Sequence, residues 1–390
     1  MTVTSPRGFR ASGVTAGLKP SGHPDLALVV NDGPQHAVAA VYTSNRCKAN
    51  PVLFSQKVTA GGGARAVVLN SGGANCFTGQ FGYETTEMTA AEVAAGLTAT
   101  GNEPVTASDV VVCSTGLIGV GDQTWRDTLL GGITPAINAL STTGGEDAAR
   151  AIMTTDTVPK NIEVSVGDCT IGGIAKGAGM LAPALATMLV VLTTDAQLTP
   201  EELDTALRHA TASSFDRLDS DACMSTNDTV VLMSSGASGV HPDLDAFTQA
   251  LTEACQDLAR QLMSDAEGAA HNIAITTSGA ASEADAVEVS RAVSRSNLFK
   301  TAIFGEDPNW GRIVAQVGTT SAEFDPANID VTVNGVPVCV ASGPHADPQS
   351  VVFTRDVTVD INLNSGDHQA TVWTNDLTHQ YVEENSAYSS

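Results

Sequence analysis

Aromatic side chains are scarce in this chain. Phe, Trp and Tyr make up 4% of its 390 residues, so large rings cannot dominate the core. Ala, Val, Thr and Gly are plentiful, and such a core suits β-sheets with Ala-rich helices. Positive charge is scarce too. Nineteen Lys and Arg stand against 43 Asp and Glu, a formal charge of −24, which argues against nucleic acid or an anionic membrane as partner. No apolar run approaches the ~20 residues of a membrane span. The opening MTVTSPRGFRASG has no hydrophobic signal core, so a cytoplasmic location is expected. The seven cysteines show no CxxC or CxxH spacing. An odd, dispersed set reads as reduced thiols rather than a disulfide frame or a zinc site. The histidines are equally dispersed, and no metal constellation is visible.

The chain is organised around a stretch from Ile171 to Gln197. Its first part, Lys176-Gly177-Ala178-Gly179-Met180, is small and flexible, and it lacks the GxxxxGK[ST] spacing of a phosphate loop. Met188 to Leu192 is an apolar run of strand length without alternation, which predicts burial on both faces. Between them lie Ala186 and Thr187. A Thr that opens a strand is usually structural. Cutting the Ala186–Thr187 bond would instead give Thr187 a free α-amine, with an ordinary pKa near ~8, able to act as base for its own hydroxyl.

Other elements follow from local pattern. Leu26–Val30 and Ala37–Tyr42 read as two strands joined by the turn Asn31-Asp32-Gly33-Pro34. Ala66–Leu69 is a third strand, ending in the Gly-rich loop Asn70 to Asn75, and a helix with Met88, Ala91 and Ala95 on its apolar face follows. Asp109–Val112 leads into Cys113-Ser114-Thr115-Gly116-Leu117-Ile118-Gly119. Ile162–Val166 alternates and turns back at Gly167-Asp168. Thr199, Pro200 and Glu202 form a helix start with a capping box. Leu244, Phe247, Leu251, Leu258 and Leu262 mark a long amphipathic helix. Asn334-Gly335 is a hairpin turn, and Asp356–Leu363 is a further strand. By composition alone the last residues, Tyr381 to Ser390, read as a frayed end.

KGAGMLAP, ATML and TTDA together closely resemble the self-cleaving centre of the ornithine acetyltransferases, the bifunctional (ArgJ-type) enzymes of arginine biosynthesis. STG-IG at Thr115, MTTDT at Thr154, STNDT at Ser225, DAEG at Glu267 and the segment from Gly305 to Arg312 extend the resemblance over most of the chain. The Asn70–Asn75 loop departs from the family's usual second Asn near Gly73. The resemblance implies an α/β ornithine acetyltransferase (DmpA/ArgJ-like) fold of helices packed on β-sheets. It implies self-cleavage into an alpha chain of residues 1–186 and a beta chain of residues 187–390, assembled as an α2β2 heterotetramer. It also implies ping-pong transfer of acetyl from N-acetyl-L-ornithine to L-glutamate through acetyl-Thr187.

In that family pattern Thr115 and Gly116 donate to the oxyanion. Thr154 (with Thr155 the near alternative), Lys176, Glu267, Asn385 and Ser390 hold the amino-acid substrates. A carboxylate such as Glu267 is the natural partner of an ammonium group, and Lys176 of a carboxylate. No metal or organic cofactor is implied. Acetyl-CoA serves some members as a second donor, which these residues leave open. Two rival readings are a self-cleaving amidase or aminopeptidase of the same fold, in which water takes the acyl group, and a non-enzymatic binding protein.

Overall fold

A computed structural model of the chain describes residues 2–101, 103–181 and 188–387. Ala186, Thr187 and Ser390 lie outside the described residues. Two units divide the rest. The first comprises described residues of 2–178, 188–216 and 224–262, and the second those of 179–181, 217–223 and 263–387.

The first unit contains β1 (Phe9–Val14), β2 (Leu26–Asn31), β3 (Ala37–Tyr42), α1 (Asn50–Thr59), β4 (Ala66–Ser71), α2 (Gly79–Thr100), β5 (Val110–Thr115), α3 (Gln123–Asn138), α4 (Gly145–Ala151), β6 (Lys160–Val166), β7 (Cys169–Lys176), β8 (Leu189–Thr194), α5 (Pro200–Ala212), β9 (Thr229–Ser234) and most of α6 (Leu244–Ser264). Its strands form two sheets, in the orders β1-β2-β4-β5 and β3-β9-β8-β7-β6. Ala27, Val29, Val67 and Leu69 from one sheet share a core with Ile174, Leu189, Val191 and Val231 from the other. Leu26, Leu28, Val68 and Val112 emerge on the opposite face and pack with Val93 and Leu97 of α2 and Leu129 and Ile133 of α3. Every residue of β8 is buried, which is why that run lacks alternation. β8 and β9 follow position 187 in the chain, while their neighbours β7 and β3 precede it. Strands from both sides of the expected cut therefore share one sheet.

Two local readings are corrected. β2 and β3 do not form a hairpin. Both edges of β2 are taken by β1 and β4, and β3 pairs with β9. The Asn31–Pro34 turn thus carries the chain from one sheet to the other, anchored where Asn31 Nδ2 donates to Gln35 O at 3.0 Å and Ser234 O at 2.9 Å. The second correction concerns α2. Met88 is 42% exposed, and Ala91 and Ala95 face solvent, whereas Thr86, Thr89, Ala90, Val93, Ala94 and Leu97 are buried. Threonine can take the inner face because its hydroxyl is satisfied within the helix. Thr85, Thr86 and Thr89 donate to the carbonyls of Phe81, Gly82 and Thr85 at 2.9, 3.1 and 2.8 Å. The α5 start is as expected: Glu202 N donates to Thr199 Oγ1 at 3.2 Å and Thr199 N to Glu202 Oε2 at 2.9 Å.

The second unit contains β10 (Asn272–Ala280), α7 (Glu283–Ser294), α8 (Asn297–Phe304), α9 (Trp310–Val317), β11 (Asp330–Val333), β12 (Val336–Val340), β13 (Gly343–Pro344), β14 (Asp356–Asn362), β15 (His368–Asn375) and α10 (His379–Ala387). Its sheet runs β13-β12-β11-β14-β10-β15, and Ile273, Ile275, Val331 and Val359 pack under Val289, Val293 and Ile313. Asn334 and Gly335 adopt φ of 47° and 79°, the left-handed pair that a tight β11–β12 hairpin needs. The chain end reads as a frayed tail in sequence but is helical from His379 to Ala387. Among the described residues no helix is long and apolar enough to cross a membrane, and none of the seven cysteines forms a disulfide.

Candidate active site

In the first unit the site is built where β5 ends. β4 and β5 run parallel and bring Ser71 beside Thr115. The loops that follow them lock together: Gly72 N and Gly73 N both donate to Thr115 O at 3.0 Å, and Ala74 N donates to Leu117 O at 3.0 Å. Gly116 sits at φ +129°, and a Cβ there would lie 2.4 Å from Gly73 N, so only glycine allows this approach. A Cβ at Gly73 would in turn lie 2.7 Å from Trp125 Nε1, a local reason for glycine where the Asn70–Asn75 loop departs from the family pattern.

Thr115 is buried, and its Oγ1 accepts from Lys176 Nζ at 3.2 Å. An ammonium group has only donors, so the threonine keeps its own O–H to donate elsewhere. Lys176 ends β7, opposite Leu189 of β8. Behind it lies Asp156, in the MTTDT run. Asp156 Oδ1 accepts from Lys160 Nζ at 2.6 Å and Gly177 N at 2.7 Å, and Oδ2 accepts from Thr154 N at 2.9 Å. Burial alone would raise the Asp156 carboxyl. The charges of Lys176 and Lys160, with the Gly177 N–H, outweigh burial and hold it at about 2. Two lysines therefore share one carboxylate near Thr115. Thr154 is half-buried and meets this cluster through its backbone.

The second unit holds a different set. Glu267 is half-buried, and a Cβ on Gly179 would lie 2.5 Å from its Oε2. The second glycine of KGAGM is thus what lets this carboxylate rest against the backbone. Met180, at φ +55°, donates its N–H to Asp221 Oδ2 at 2.6 Å. Asp221, Glu267, Arg295, Lys300, Asp376 and Tyr381 line one pocket. Burial pushes the Asp221 carboxyl up and the Lys300 ammonium down. Burial, with the Asp221 and Glu267 charges, raises the Tyr381 phenol to about 12. Lys300 also donates to Ser220 O. Asn385 is exposed on α10, its Nδ2 donating to Tyr381 O one turn back at 3.0 Å.

The structure thus joins Thr115, Gly116, Lys176 and the Thr154 segment in one unit, and places Glu267 and Asn385 in the other. Sequence reasoning missed Asp156, Lys160, Asp221, Lys300 and Tyr381. A weak signal was present for Asp156, which lies inside the matched run MTTDT. Trp310, in the Gly305–Arg312 match, packs on the second unit's core, and Asn309 caps α9 by accepting from Arg312 N at 3.2 Å. Among the described residues no cluster of three or more His, Cys, Asp or Glu is arranged to hold a metal ion.

An α/β scaffold carrying a glycine-locked loop with a Thr–Lys–Asp cluster at its edge can bind and polarise a carbonyl oxygen. The ArgJ family model matches residues 10–390. The chain is 56% identical over 391 residues to the arginine biosynthesis bifunctional protein ArgJ of Thermobifida fusca, covering 100% of both chains. The protein of the same name from Streptomyces coelicolor is likewise 56% identical over 391 residues, with 100% of both covered. Among solved structures, ornithine acetyltransferase complexed with ornithine from Mycobacterium tuberculosis is 50% identical, with a TM-score of 0.45, covering 48% of this chain and 96% of that one. The chain belongs to the ArgJ family.

Proposed function

We propose that the chain is a glutamate N-acetyltransferase of arginine biosynthesis that moves acetyl from N-acetyl-L-ornithine to L-glutamate. Family membership over residues 10–390 supports the activity, and the Lys176–Thr115 contact of 3.2 Å carries the mechanism. Self-cleavage between Ala186 and Thr187 frees the Thr187 α-amine. Thr187 Oγ attacks the acetyl carbonyl, its proton passing to the amine, while Thr115 Oγ1–H and the Gly116 N–H receive the oxyanion. The bond from carbonyl carbon to ornithine nitrogen then breaks, and the leaving amine takes the proton. Glutamate's amine next attacks acetyl-Thr187, giving N-acetyl-L-glutamate and the free enzyme.

Lys176, beside Asp156, adds positive potential behind the oxyanion. One donor in such a place lowers the barrier by roughly 2.7–4 kcal/mol. Glu267 takes a substrate ammonium, and Thr154, Asn385 and Ser390 complete substrate binding. The parts are an alpha chain of residues 1–186 and a beta chain of residues 187–390, assembled as α2β2 in the cytoplasm. No metal or organic cofactor takes part, and acetyl-CoA is a second acetyl donor to be assayed beside N-acetylornithine.

Mass spectrometry of purified protein tests the first step, with two fragments expected, the second beginning at Thr187. Incubation with N-acetylornithine tests the rest. A transferase releases ornithine rapidly only when glutamate is present, whereas equal release without glutamate identifies an amidase.

A further inference from the structure

Ser225 to Thr229 has no part in the reaction above, yet two of its residues reach both sides of the machinery in the first unit. Asn227 is buried, and its Nδ2 donates to Ala74 O at 2.7 Å and Ser114 O at 2.8 Å. Ser114 precedes Thr115, and Ala74 lies in the loop locked against it. One amide group therefore ties together the two segments that frame the oxyanion loop. Asp228 serves the residue that follows Thr187. Its Oδ1 accepts from Met188 N at 3.2 Å, while Thr229 N donates to Met188 O at 3.2 Å. Both backbone polar groups of Met188 are thus held by residues 228 and 229, just where β8 and β9 begin their parallel pairing at Leu189 and Thr229.

Folding alone gives little reason for a carboxyl here. Asp228 is 0% exposed, and among the described residues its Oδ2 meets no donor within hydrogen-bonding geometry. An apolar side chain of similar size would avoid that desolvation cost. What the carboxyl adds is its hold on the Met188 N–H, with the Ser225 and Thr43 hydroxyls beside it.

We propose that Asn227 and Asp228 are positioning residues: Asn227 fixes the oxyanion loop, Asp228 fixes Met188, and their adjacency sets the spacing between Thr115 and the start of β8. This rests on reading Thr187 as the nucleophile and goes beyond it. A misplacement of about 1 Å at such a site costs about 10²-fold in rate.

The test compares wild type with Asp228→Asn and Asp228→Leu. Asn keeps an acceptor for the Met188 N–H, and Leu fills the space without one. Cleavage is followed on denaturing gels, acetyl transfer by kcat and KM, and folding by urea unfolding. Asp228→Asn is expected within about threefold of wild type, and Asp228→Leu about 10²-fold slower in cleavage and kcat. KM for N-acetylornithine and the unfolding midpoint of Asp228→Leu should stay near wild type. Wild-type rates in Asp228→Leu overturn the proposal. So does a loss shared by Asn and Leu in step with a falling midpoint, which marks a purely structural side chain. If Asp228→Leu does not fold, Asn227→Ala decides: lower kcat at unchanged KM supports the proposal, and unchanged kcat overturns it. A wild-type chain that stays uncut yet active refutes the Thr187 reading itself. That outcome is distinct from a variant that behaves normally in a wild type that cuts.

Discussion

Asp156 is buried and Asp221 half-buried, both beside lysines, yet the two carboxyls are pushed in opposite directions. Asp156 meets Lys160 and two backbone N–H groups directly and feels the charge of Lys176, so it titrates far below its ordinary value of 3.8. Asp221 has two backbone donors but Glu267 as a neighbouring charge, and burial wins. The first cluster has its charge balanced in favour of the carboxylate before any substrate arrives. The second lines a pocket with Asp221, Glu267 and Asp376 beside Arg295 and Lys300. Direct donors settle the first carboxylate and burial the second, in keeping with the oxyanion and amine roles proposed above.

Asp156→Asn breaks the comparison most severely. It removes the carboxylate that faces two buried lysines, and breaking a buried pair costs about 3–5 kcal/mol. Urea unfolding at neutral pH should show that loss. The pH dependence sharpens the point. The folded carboxyl lies at about 2, below its ordinary 3.8, so its stabilisation is complete above the higher value and disappears as pH falls through the lower one. Wild type should lose stability between those values, and Asp156→Asn should show a flatter profile there.

Thr115→Ala comes next. Loss of one oxyanion donor should lower kcat by about 10²–10³ with little change in unfolding. A kcat within about threefold of wild type would remove Thr115 from the chemistry. Glu267→Gln tests the other region. A lost charge-assisted hydrogen bond of about 1.5–3 kcal/mol should raise KM for N-acetylornithine by roughly ten- to a hundredfold, with kcat largely kept. An unchanged KM would show that the Asp221–Glu267 pocket does not bind the substrate amine.

The last test is at the chain end. Deleting Asn385 to Ser390 should raise KM for both amino acids by about 1–3 kcal/mol per lost hydrogen bond, while self-cleavage survives because it needs no substrate. Wild-type KM values would make this segment an ordinary helix end, in keeping with Asn385 bonding its own helix at Tyr381 O.

Much of the fold was legible in short segments. The Thr199–Glu202 capping box, the Asn334-Gly335 hairpin, the doubly buried β8 run and the buried Phe247, Leu251, Leu258 and Leu262 of α6 all follow from residues within a few positions of one another. The α2 face was misread because alanine is nearly indifferent to burial and threonine hides its hydroxyl in its own helix. Val93 and Leu97 were the reliable markers.

The sequence by itself determined the family, because the runs around Thr115, Thr154, Lys176 and Glu267 are each local and recognisable. It also determined element type, because propensity and periodicity are local. Only the tertiary structure decided partners. The sequence placed β2 beside β3, but each strand's hydrogen-bonding edges are satisfied in different sheets. Lys176 reaches Thr115 across 61 residues, and Asn227 reaches Ser114 across 113. Such pairings depend on which buried donors remain to be satisfied once the sheets have packed, a quantity that no stretch of sequence contains.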